Sequence, residues 1–455
     1  MQMLIELRGL EYFLNRLLGG RAWRHASQEG IANDFSIEVS RDFDSVQGDW
    51  AWLEREGLLT PFQTRSWLTP FYRVLEPRLK ATPVFVTIRD RASDRPAMLL
   101  LLCARRFFGI PLIQFADLGV SDYNAPLIAK SFNPSLAQWS ILWRQVLAAL
   151  GMGSVLRLKN MPPLIGGRPN PLVACEKSSA PMSVASWKVA LPQTIAEYGR
   201  LVLKPSFRKR LAKKFRHAAK LGKIEYVVAS TREDKLAAFD LLARQRQARC
   251  DQMGRANVMT HQAYHDFYKA AVVDSYDPLT SLAVLKIGGE AVGTLLALDD
   301  QESFHVISQT FEGGDWENYS LGLIIVHSAI EYCIERGKSF FDLTIGNESY
   351  KAHFGTTPSP LYIAWHPLSP TGALLVWALD MSAKVGRVWR QLSTSLIRRW
   401  RMFVVTRLQT IEAISTGALR RRSHNGKIDM TSKTAQRRGL KTAGGLRDRL
   451  LGRES

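Results

Sequence analysis

Apolar and polar positions recur with two different periods along the chain, and these periods predict an alternation of strands and helices. In the first half, apolar runs at 84–89 and 97–105 predict two strands joined by a polar turn. Residues 136–150 carry apolar positions at helical spacing, and residues 154–158 form a short apolar run typical of a buried strand. The first half is therefore predicted to consist of helices packed on a sheet.

The second half repeats this order of elements without a letter-by-letter repeat of the sequence. Gly288 and Gly289 predict a tight hairpin turn, and Gly337 ends the long helix that precedes the last strand. The predicted elements are helices at 204–221, 231–249, 261–274 and 320–336, and strands at 224–229, 281–287, 291–298, 303–310 and 340–345. The sequence thus predicts an α/β protein of the α+β kind, with two similar halves and mixed, largely antiparallel sheets.

Changes in pattern and composition divide the 455 residues into five segments. Leucines spaced three and four apart at 2–18 predict an amphipathic helix, which either packs on its own chain or lies on a membrane or a partner. The predicted segments are an N-terminal helix and linker (1–35), a first half (36–192), a second half (193–368), a basic helical extension (369–412) and a basic tail expected to be disordered (413–455).

Positive charge is concentrated near the C-terminus. The chain has a formal charge of +20, and residues 384–455 hold 18 Lys and Arg against 4 Asp and Glu, a charge of +14. Such a segment either stays solvated or binds anionic lipid, nucleic acid or another polyanion. No secretory pattern and no apolar run of the roughly 20 residues that span a bilayer is visible. The expected location is the cytoplasm, with the basic region available to the inner face of the membrane.

Neither a metal site nor a disulfide framework is predicted. The four cysteines are far apart in sequence and include no Cys-x-x-Cys pair. His261 and His265 are spaced four apart, which suits one face of a helix, but no third ligand accompanies them.

The segment 281–355 carries the most chemistry. Three strands lead into a helix that begins near Ser320, Leu321, Gly322 and Leu323. The first amides of a helix have no partner within it and carry partial positive charge, so they suit a pyrophosphate, and a glycine lets a ligand approach the backbone. The alternative is an ordinary capped helix lying on a sheet.

The strand and loop at 340–355, FFDLTIGNESYKAHFG, favour a ligand site over an ordinary capped helix. Asp342 lies in an apolar strand, where a charge needs a purpose or a partner, and Gly346 and the pair Tyr350-Lys351 follow. This pattern resembles the GNAT-like acetyltransferase domain of the cellulose-biosynthesis (CelD/BcsL) family. In that family a glycine-bearing helix start is followed by a strand Asp, a Gly and a Tyr-Lys pair. Segments 206–226 and 61–68 extend the resemblance to roughly residues 36–365.

The resemblance implies two tandem GNAT-like domains, an architecture shared with FemAB-type transferases, and acyl-CoA as the donor. The pantetheine arm would lie between separated strands near 303–310 and 340–344, the pyrophosphate on the amides of 320–323, and a strand N–H would stabilise the oxyanion. Candidate bases are Asp342 and His305. Lys351 would bind negative charge and Tyr350 would protonate the leaving group; each of the four also has a purely structural alternative.

Three functions remain open on the sequence. The first is acyl transfer from acyl-CoA to a sugar, polysaccharide or envelope precursor. The second is FemAB-like transfer from aminoacyl-tRNA, and the third is a non-catalytic, membrane-associated partner of an exopolysaccharide machine. The basic helix at 204–216, with Asp117, Asp122 and Tyr123, is expected near an acceptor cleft suited to an acidic or phosphorylated substrate, although the sequence does not orient these side chains.

Overall fold

The computed structural model describes residues 34–378 apart from 108, 152–154, 176–177 and 276–278, together with Met381. The predicted helix at 2–18, the predicted tail at 413–455 and most of the extension at 369–412 lie outside these residues. Within the extension, residues 370–378 are helical. The described chain up to Trp377 belongs to one folded unit.

The structure has sixteen strands among the described residues, and all but two short ones belong to a single sheet of 14 strands. In chain order they are β1 (Phe35–Ser40), β2 (Gly57–Leu58), β3 (Thr82–Asp90), β4 (Pro96–Phe107), β5 (Ile110–Phe115), β6 (Leu127–Ala129), β7 (Val155–Met161), β8 (Leu164–Ile165), β9 (Arg168–Pro169), β10 (Ala180–Ala190), β11 (Ile224–Val228), β12 (Thr280–Ile287), β13 (Glu290–Asp299), β14 (Ser303–Phe311), β15 (Phe340–Ile345) and β16 (Thr357–Pro367).

Helices pack on both faces of the sheet. They are α1 (Gln47–Glu56), α2 (Arg65–Pro70), α3 (Glu76–Arg78), α4 (Leu136–Ala149), α5 (Pro171–Ala174), α6 (Ile195–Glu197), α7 (Pro205–Ala218), α8 (Arg232–Gln252), α9 (Gln262–Val272) and α10 (Leu321–Glu335). Shorter 3-10 turns lie at Asp44–Val46, Pro61–Gln63, Val258–Thr260, Gly314–Tyr319 and Lys351–Phe354, and π-helical turns at Phe71–Leu75 and Tyr198–Val202. The predicted elements of both halves are present within a few residues.

The sheet runs without a break through both halves, in the order β1-β3-β4-β5-β7-β16-β10-β15-β14-β13-β12-β11. Its neighbours are antiparallel except for β5 with β7 and β14 with β15, which are parallel. The predicted fold class, α+β with mixed and largely antiparallel strands, is confirmed. The separate sheets expected for the two halves are joined edge to edge.

The joint is made by β16, a strand that the sequence pattern missed. β16 pairs with β7 of the first half and with β10, which in turn pairs with β15 of the second half. Its sequence, TPSPLYIAWHP, contains Pro358, Pro360 and Pro367. Prolines argue against a central strand because each removes a ladder donor. Here Pro358 and Pro360 lie opposite Trp187 and Ala185 of β10, next to an interruption of that register, and Pro367 ends the strand opposite Val155 of β7.

The hydrophobic core also crosses the middle of the chain. Helices α8 and α9 of the second half contribute to the core of the first half, where the Trp67 and Phe267 rings meet edge to face with centroids 5.1 Å apart. Helices α7 and α10 cover the other face of the second half. The predicted boundary at 192/193 stays a prediction, and the two halves share both sheet and core.

Candidate active site

The strands β14 and β15 separate after three paired residues. Their parallel pairing ends at His305 opposite Asp342. An extra residue, Ile307, then interrupts the register of β14 against β13, since Ala297 pairs with Val306 but Leu296 pairs with Ser308. Such a bulge bends the strand away from its neighbour. On β15, Thr344 has a positive φ of 53° and its hydroxyl donates to Val306 O at 2.7 Å, which fixes the point of separation.

A cavity of about 770 Å³ fills the opening between the two strands. Its walls are residues 306–313 of β14 and the following turn, 343–345 of β15 and 320–323 at the start of α10. The strand edges facing it have no ladder partner across the opening. The strands and helix start that the resemblance implies for the donor are therefore in one place.

The start of α10 is left without a side-chain cap. Ser320, the residue before the helix, has φ 58° and ψ 45°, a left-handed conformation that is unfavourable for serine. Its carbonyl accepts the amide of Leu323 at 2.9 Å. The amides of Leu321 and Gly322 come too early in the helix to have a carbonyl acceptor within it. A Cβ at Gly322 would lie 2.9 Å from the Phe311 ring, so glycine allows this close packing.

Three arginines that sequence reasoning missed line the cavity: Arg246, Arg249 and Arg255, at the end of α8 and just beyond. The Arg249 guanidinium lies 4.7 Å from the centre of the Phe311 ring, which itself packs on Gly322. Arg246 Nη1 donates to Ser308 Oγ at 2.9 Å. No carboxylate lies within 4.0 Å of these three guanidinium groups among the described residues. The only signal in the sequence was a spacing of three between Arg246 and Arg249.

His305 and Asp342 lie beneath the separation point and do not line the cavity. His305 is bracketed by two carboxylates, with Asp300 Oδ2 at 3.3 Å from Nε2 and Asp342 Oδ2 at 3.3 Å from Nδ1. Burial disfavours the charged ring, but the hydrogen bond to Asp300 and the negative charges of Asp300 and Asp342 outweigh burial and raise the pKa of His305 to about 9. At neutral pH this ring is a cation, so it has no free lone pair for a base.

Asp342 is fully engaged. Its carboxylate accepts the Tyr123 hydroxyl at 2.8 and 2.9 Å and the Thr344 amide at 2.7 Å, besides facing His305. The side chain is 3% exposed. The buried charge in an apolar strand therefore has the partners that its burial requires.

Lys351 and Gly346 shape the end of β15. The buried Lys351 ammonium donates to the carbonyls of Leu343 and Ile345, both at 2.9 Å, and lies 3.2 Å from Glu348 Oε2. Gly346 has φ +147°, and a Cβ there would come within 2.7 Å of Lys351 Nζ. Lys351 also lines the cavity, whereas Gly346 does not. Because Gly346 has no side chain, it leaves room for the Lys351 ammonium.

Tyr350 joins the two sides of the opening. Its hydroxyl accepts a hydrogen bond from Gln309 Nε2 of β14 at 2.7 Å, and the residue lines the cavity. Burial raises the pKa of Tyr350, so the hydroxyl keeps its proton at neutral pH. This is the state that a proton donor requires.

The turn-rich segment of the first half reaches the same site. Of its three candidate residues, Asp122 lines the cavity, Tyr123 binds Asp342, and Asp117 is buried against Asn124 Nδ2 at 2.6 Å. The basic helix α7 does not line the cavity; its Lys214 donates to Asn318 O at 3.2 Å on the far side of the turn before α10.

The remaining predictions concern metals and membranes. His261 caps α9 through Ala263 N and His265 packs on Phe239. Within the described residues, no group of three or more His, Cys, Asp or Glu side chains is arranged to hold a metal ion. Across that same part of the chain, every helix is too short or too polar to cross a membrane.

Comparison with known proteins agrees with this geometry. Residues 205–352 match the model of the acetyltransferase (GNAT) domain family. A search among curated proteins finds no match. The matched segment includes β14, β15 and α10, the elements that surround the cavity. Membership of the cellulose-biosynthesis type within this class stays a prediction.

Solved structures with a similar fold have little sequence identity to this chain. FemX is 8% identical, with a TM-score of 0.49 over 72% of this chain and 96% of that one. L-PGS from Bacillus licheniformis is 11% identical, with a TM-score of 0.45 over 74% and 95%. A tandem GNAT protein from the clavulanic acid biosynthesis pathway is 11% identical, with a TM-score of 0.41 over 74% and 99%.

Proposed function

We propose that the protein is an acyltransferase that takes its acyl group from acyl-CoA and passes it directly to an acceptor in the cavity between β14 and β15. One observation carries the proposal: the opening between two parallel strands ends on uncapped amides at the start of α10. A long thin donor with a thioester at one end and a pyrophosphate at the other fits such an opening.

The donor's parts have matching groups in the cavity. The pantetheine amides would pair with the unpaired edges of β14 and β15 beyond Val306 and Leu343. The pyrophosphate would accept hydrogen bonds from the amides of Leu321 and Gly322, where the helix dipole favours negative charge. Arg249, held over the Phe311 ring beside Gly322, would add a charge-assisted contact.

The transfer itself needs no covalent enzyme intermediate. The acceptor's nitrogen or oxygen attacks the thioester carbon, the C–S bond breaks, and the acceptor loses one proton while the thiolate gains one. A backbone N–H of β14 would stabilise the oxyanion. The Tyr350 hydroxyl, which keeps its proton at neutral pH, would supply the proton to the thiolate.

The class of acceptor is proposed from the resemblance to the cellulose-biosynthesis family. It is a sugar, a polysaccharide or an envelope precursor with a free amine or hydroxyl. The basic region after residue 384 would hold the enzyme near such precursors at the inner face of the membrane, because clustered Lys and Arg are attracted to anionic lipid.

Isothermal titration with acetyl-CoA and a longer acyl-CoA tests the donor. We expect binding with a micromolar Kd that is lost in Gly322→Leu, because the new side chain would enter the space between the helix start and Phe311. Gly48→Leu is the matched control, since nothing lies within 4 Å of a Cβ at Gly48. Absence of binding to either acyl-CoA, or unchanged affinity in a folded Gly322→Leu protein, would contradict the proposal and favour aminoacyl-tRNA as donor or a non-catalytic role.

A further inference from the structure

We propose that Asp122, a residue of the first half, is the general base that removes the proton from the acceptor in the cavity of the second half. The inference rests on the proposed function, because it assigns a residue to that transfer. A general base must reach the reacting atoms and have a free lone pair when the reaction starts.

Two acidic or basic candidates from the sequence fail this requirement. His305 is held as a cation between Asp300 and Asp342, and Asp342 is occupied by Tyr123, the Thr344 amide and His305. Neither side chain lines the cavity. They are positioning residues: together they hold Tyr123 and the separation point of β14 and β15.

Asp122 meets both requirements. It is partly exposed and lines the cavity together with Val306 and Thr344, the residues at which the two strands separate. Thr344, whose hydroxyl donates to Val306 O, lies on the same cavity wall as Asp122. With the pyrophosphate at the start of α10, the thioester would lie at the opposite end of the opening, beside Asp122.

The neighbours of Asp122 in sequence hold it in place. Ser121 O accepts Asn160 Nδ2 at 3.2 Å, and Ser121 Oγ accepts Trp67 Nε1 at 3.2 Å. On the other side, the Tyr123 hydroxyl is bound to Asp342 and the Asn124 amide donates to Asn160 O at 2.9 Å. The carboxylate therefore projects from a segment that is fixed to both halves, as a catalytic group requires.

The surroundings of Asp122 bring the pKa of its carboxyl group closer to neutral pH. Partial burial in the cavity wall raises its pKa to about 6, and the negative charges of Asp342 and Asp117 act in the same direction, while Thr344 and the Lys351 cation oppose them. Together with burial, the charge of Asp122 in turn raises the pKa of Tyr268 of α9 and of the adjoining Tyr123. A base with a pKa near 6 is mostly ionised at pH 7 and still accepts a proton readily.

In the reaction, the acceptor's N–H or O–H proton passes to an oxygen of Asp122 as the new bond to the acyl carbon forms. The C–S bond breaks and the thiolate takes the proton of Tyr350. Both groups line the cavity and come from different segments, Asp122 from the first half and Tyr350 from the loop after β15, and each serves one proton transfer.

The test compares Asp122→Asn and Asp122→Ala with wild type in the full-length protein. Acetyl-CoA binding is measured by calorimetry, and release of CoA thiol from saturating acetyl-CoA is followed between pH 5 and 8, first with water and then with added glucosamine and hydroxylamine as probe acceptors. Asp117→Asn, a change of a buried carboxylate in the same segment, is the control for a structural effect.

We expect Asp122→Asn to bind acetyl-CoA with wild-type affinity and to release thiol about 10²- to 10⁴-fold more slowly. The wild-type rate should fall as pH drops below about 6 and this limb should be absent in the variant. Added formate should restore part of the rate of Asp122→Ala, which a structural role would not allow. A wild type that neither binds acetyl-CoA nor releases thiol overturns the proposed function. Normal binding with a rate in Asp122→Asn within about threefold of wild type, or a retained acid limb, overturns the role of Asp122 alone.

Discussion

The two halves of the sheet each contain one parallel strand pair, and the pairs begin alike. β5 and β7 are matched over three residues, as are β14 and β15. Each short ladder ends on a polar cross-strand pair, Gln114 with Arg157 in the first half and His305 with Asp342 in the second. Shortly beyond the ladder, the second strand of each pair has a non-glycine residue with positive φ, Asn160 of β7 at 58° and Thr344 of β15 at 53°.

Past this point the halves differ. In the first half, residues 117–124 bond to the end of β7, where Asn124 N and Asn124 Nδ2 donate to the carbonyls of Asn160 and Lys159 at 2.9 and 3.1 Å. In the second half the corresponding space is the cavity of about 770 Å³. The same segment that binds to β7 also carries Asp122 and Tyr123 to the second half.

The helices α4 and α10 also differ in whether a side chain caps their first turn. The start of α4 is satisfied by its own chain, since Ser135 Oγ accepts Gln138 N and the Gln138 side chain accepts Ser135 N at 2.8 Å. The start of α10 has no such bond. Similar topology thus gives one helix start that its own side chains cap and one that has no side-chain cap and faces a cavity.

The largest expected effect concerns the polar pairs that end the two ladders. Asp342→Ala would leave a buried His305 cation and the Tyr123 hydroxyl without their shared partner, so we expect a loss of about 3–5 kcal/mol in the free energy of unfolding. Gln114→Ala removes a neutral group and should cost about 1–3 kcal/mol. Urea unfolding of both variants measures the difference, and equal losses would show that the two pairs are energetically equivalent.

The charge of His305 makes the second half sensitive to alkaline pH. Its folded pKa of about 9 lies above the ordinary value of 6.5, so its contribution to stability is complete below pH 6.5 and is lost as pH rises through about 9. Asp300, Asp342 and the Tyr123 ring are the groups that face it. Urea unfolding of wild type and His305→Gln should converge between pH 6.5 and 9.5; a constant difference would contradict the cationic assignment.

Arg249 is expected to bind the donor at the start of α10, and an arginine on α4 of the first half serves for comparison. Arg249→Ala should weaken acetyl-CoA binding about tenfold, since a charge-assisted contact to phosphate is worth roughly 1.5–3 kcal/mol before partial compensation by solvent. Arg144→Ala, on α4 of the first half, is the matched control and should have no effect. Calorimetry measures both, and an unchanged affinity in Arg249→Ala would remove this residue from the pyrophosphate site.

The smallest effect concerns the residues before α4 and α10. Ser135→Ala removes a capping box and should cost about 1 kcal/mol of unfolding free energy. Ser320→Gly relieves a left-handed serine that makes no cap bond, and should leave stability unchanged or raise it by up to about 1 kcal/mol. A loss in Ser320→Gly as large as that in Ser135→Ala would mean that Ser320 is a cap after all.

Local signals explain what the sequence could predict. The helix predicted at 231–249 is α8, which Thr231 caps, and the turn at Gly288–Gly289 joins β12 to β13 as expected. The start of α10 was found because its glycine and the preceding strands are close in sequence. The buried charge of Asp342 correctly indicated a group that needs partners.

What the sequence missed depends on contacts between distant segments. β16 is central only because β7 and β10 both pair with it, and its prolines hide the strand pattern. Asp122 was a candidate for the cleft, but its placement beside Thr344, more than 200 residues away, follows only from the fold. Arg249 reaches Phe311 only after α8 packs beside β14. No period or spacing along the chain contains this information.

Amide hydrogen exchange with and without acetyl-CoA tests whether the second half alone keeps its parallel strand pair open for a ligand. We therefore expect acetyl-CoA to slow exchange in peptides covering 306–311 and 320–323, with no change at 112–117 and 135–138, where the first half's groups are already satisfied. Slower exchange at 112–117 or 135–138, or none at 306–311 and 320–323 while acetyl-CoA is bound, would contradict it.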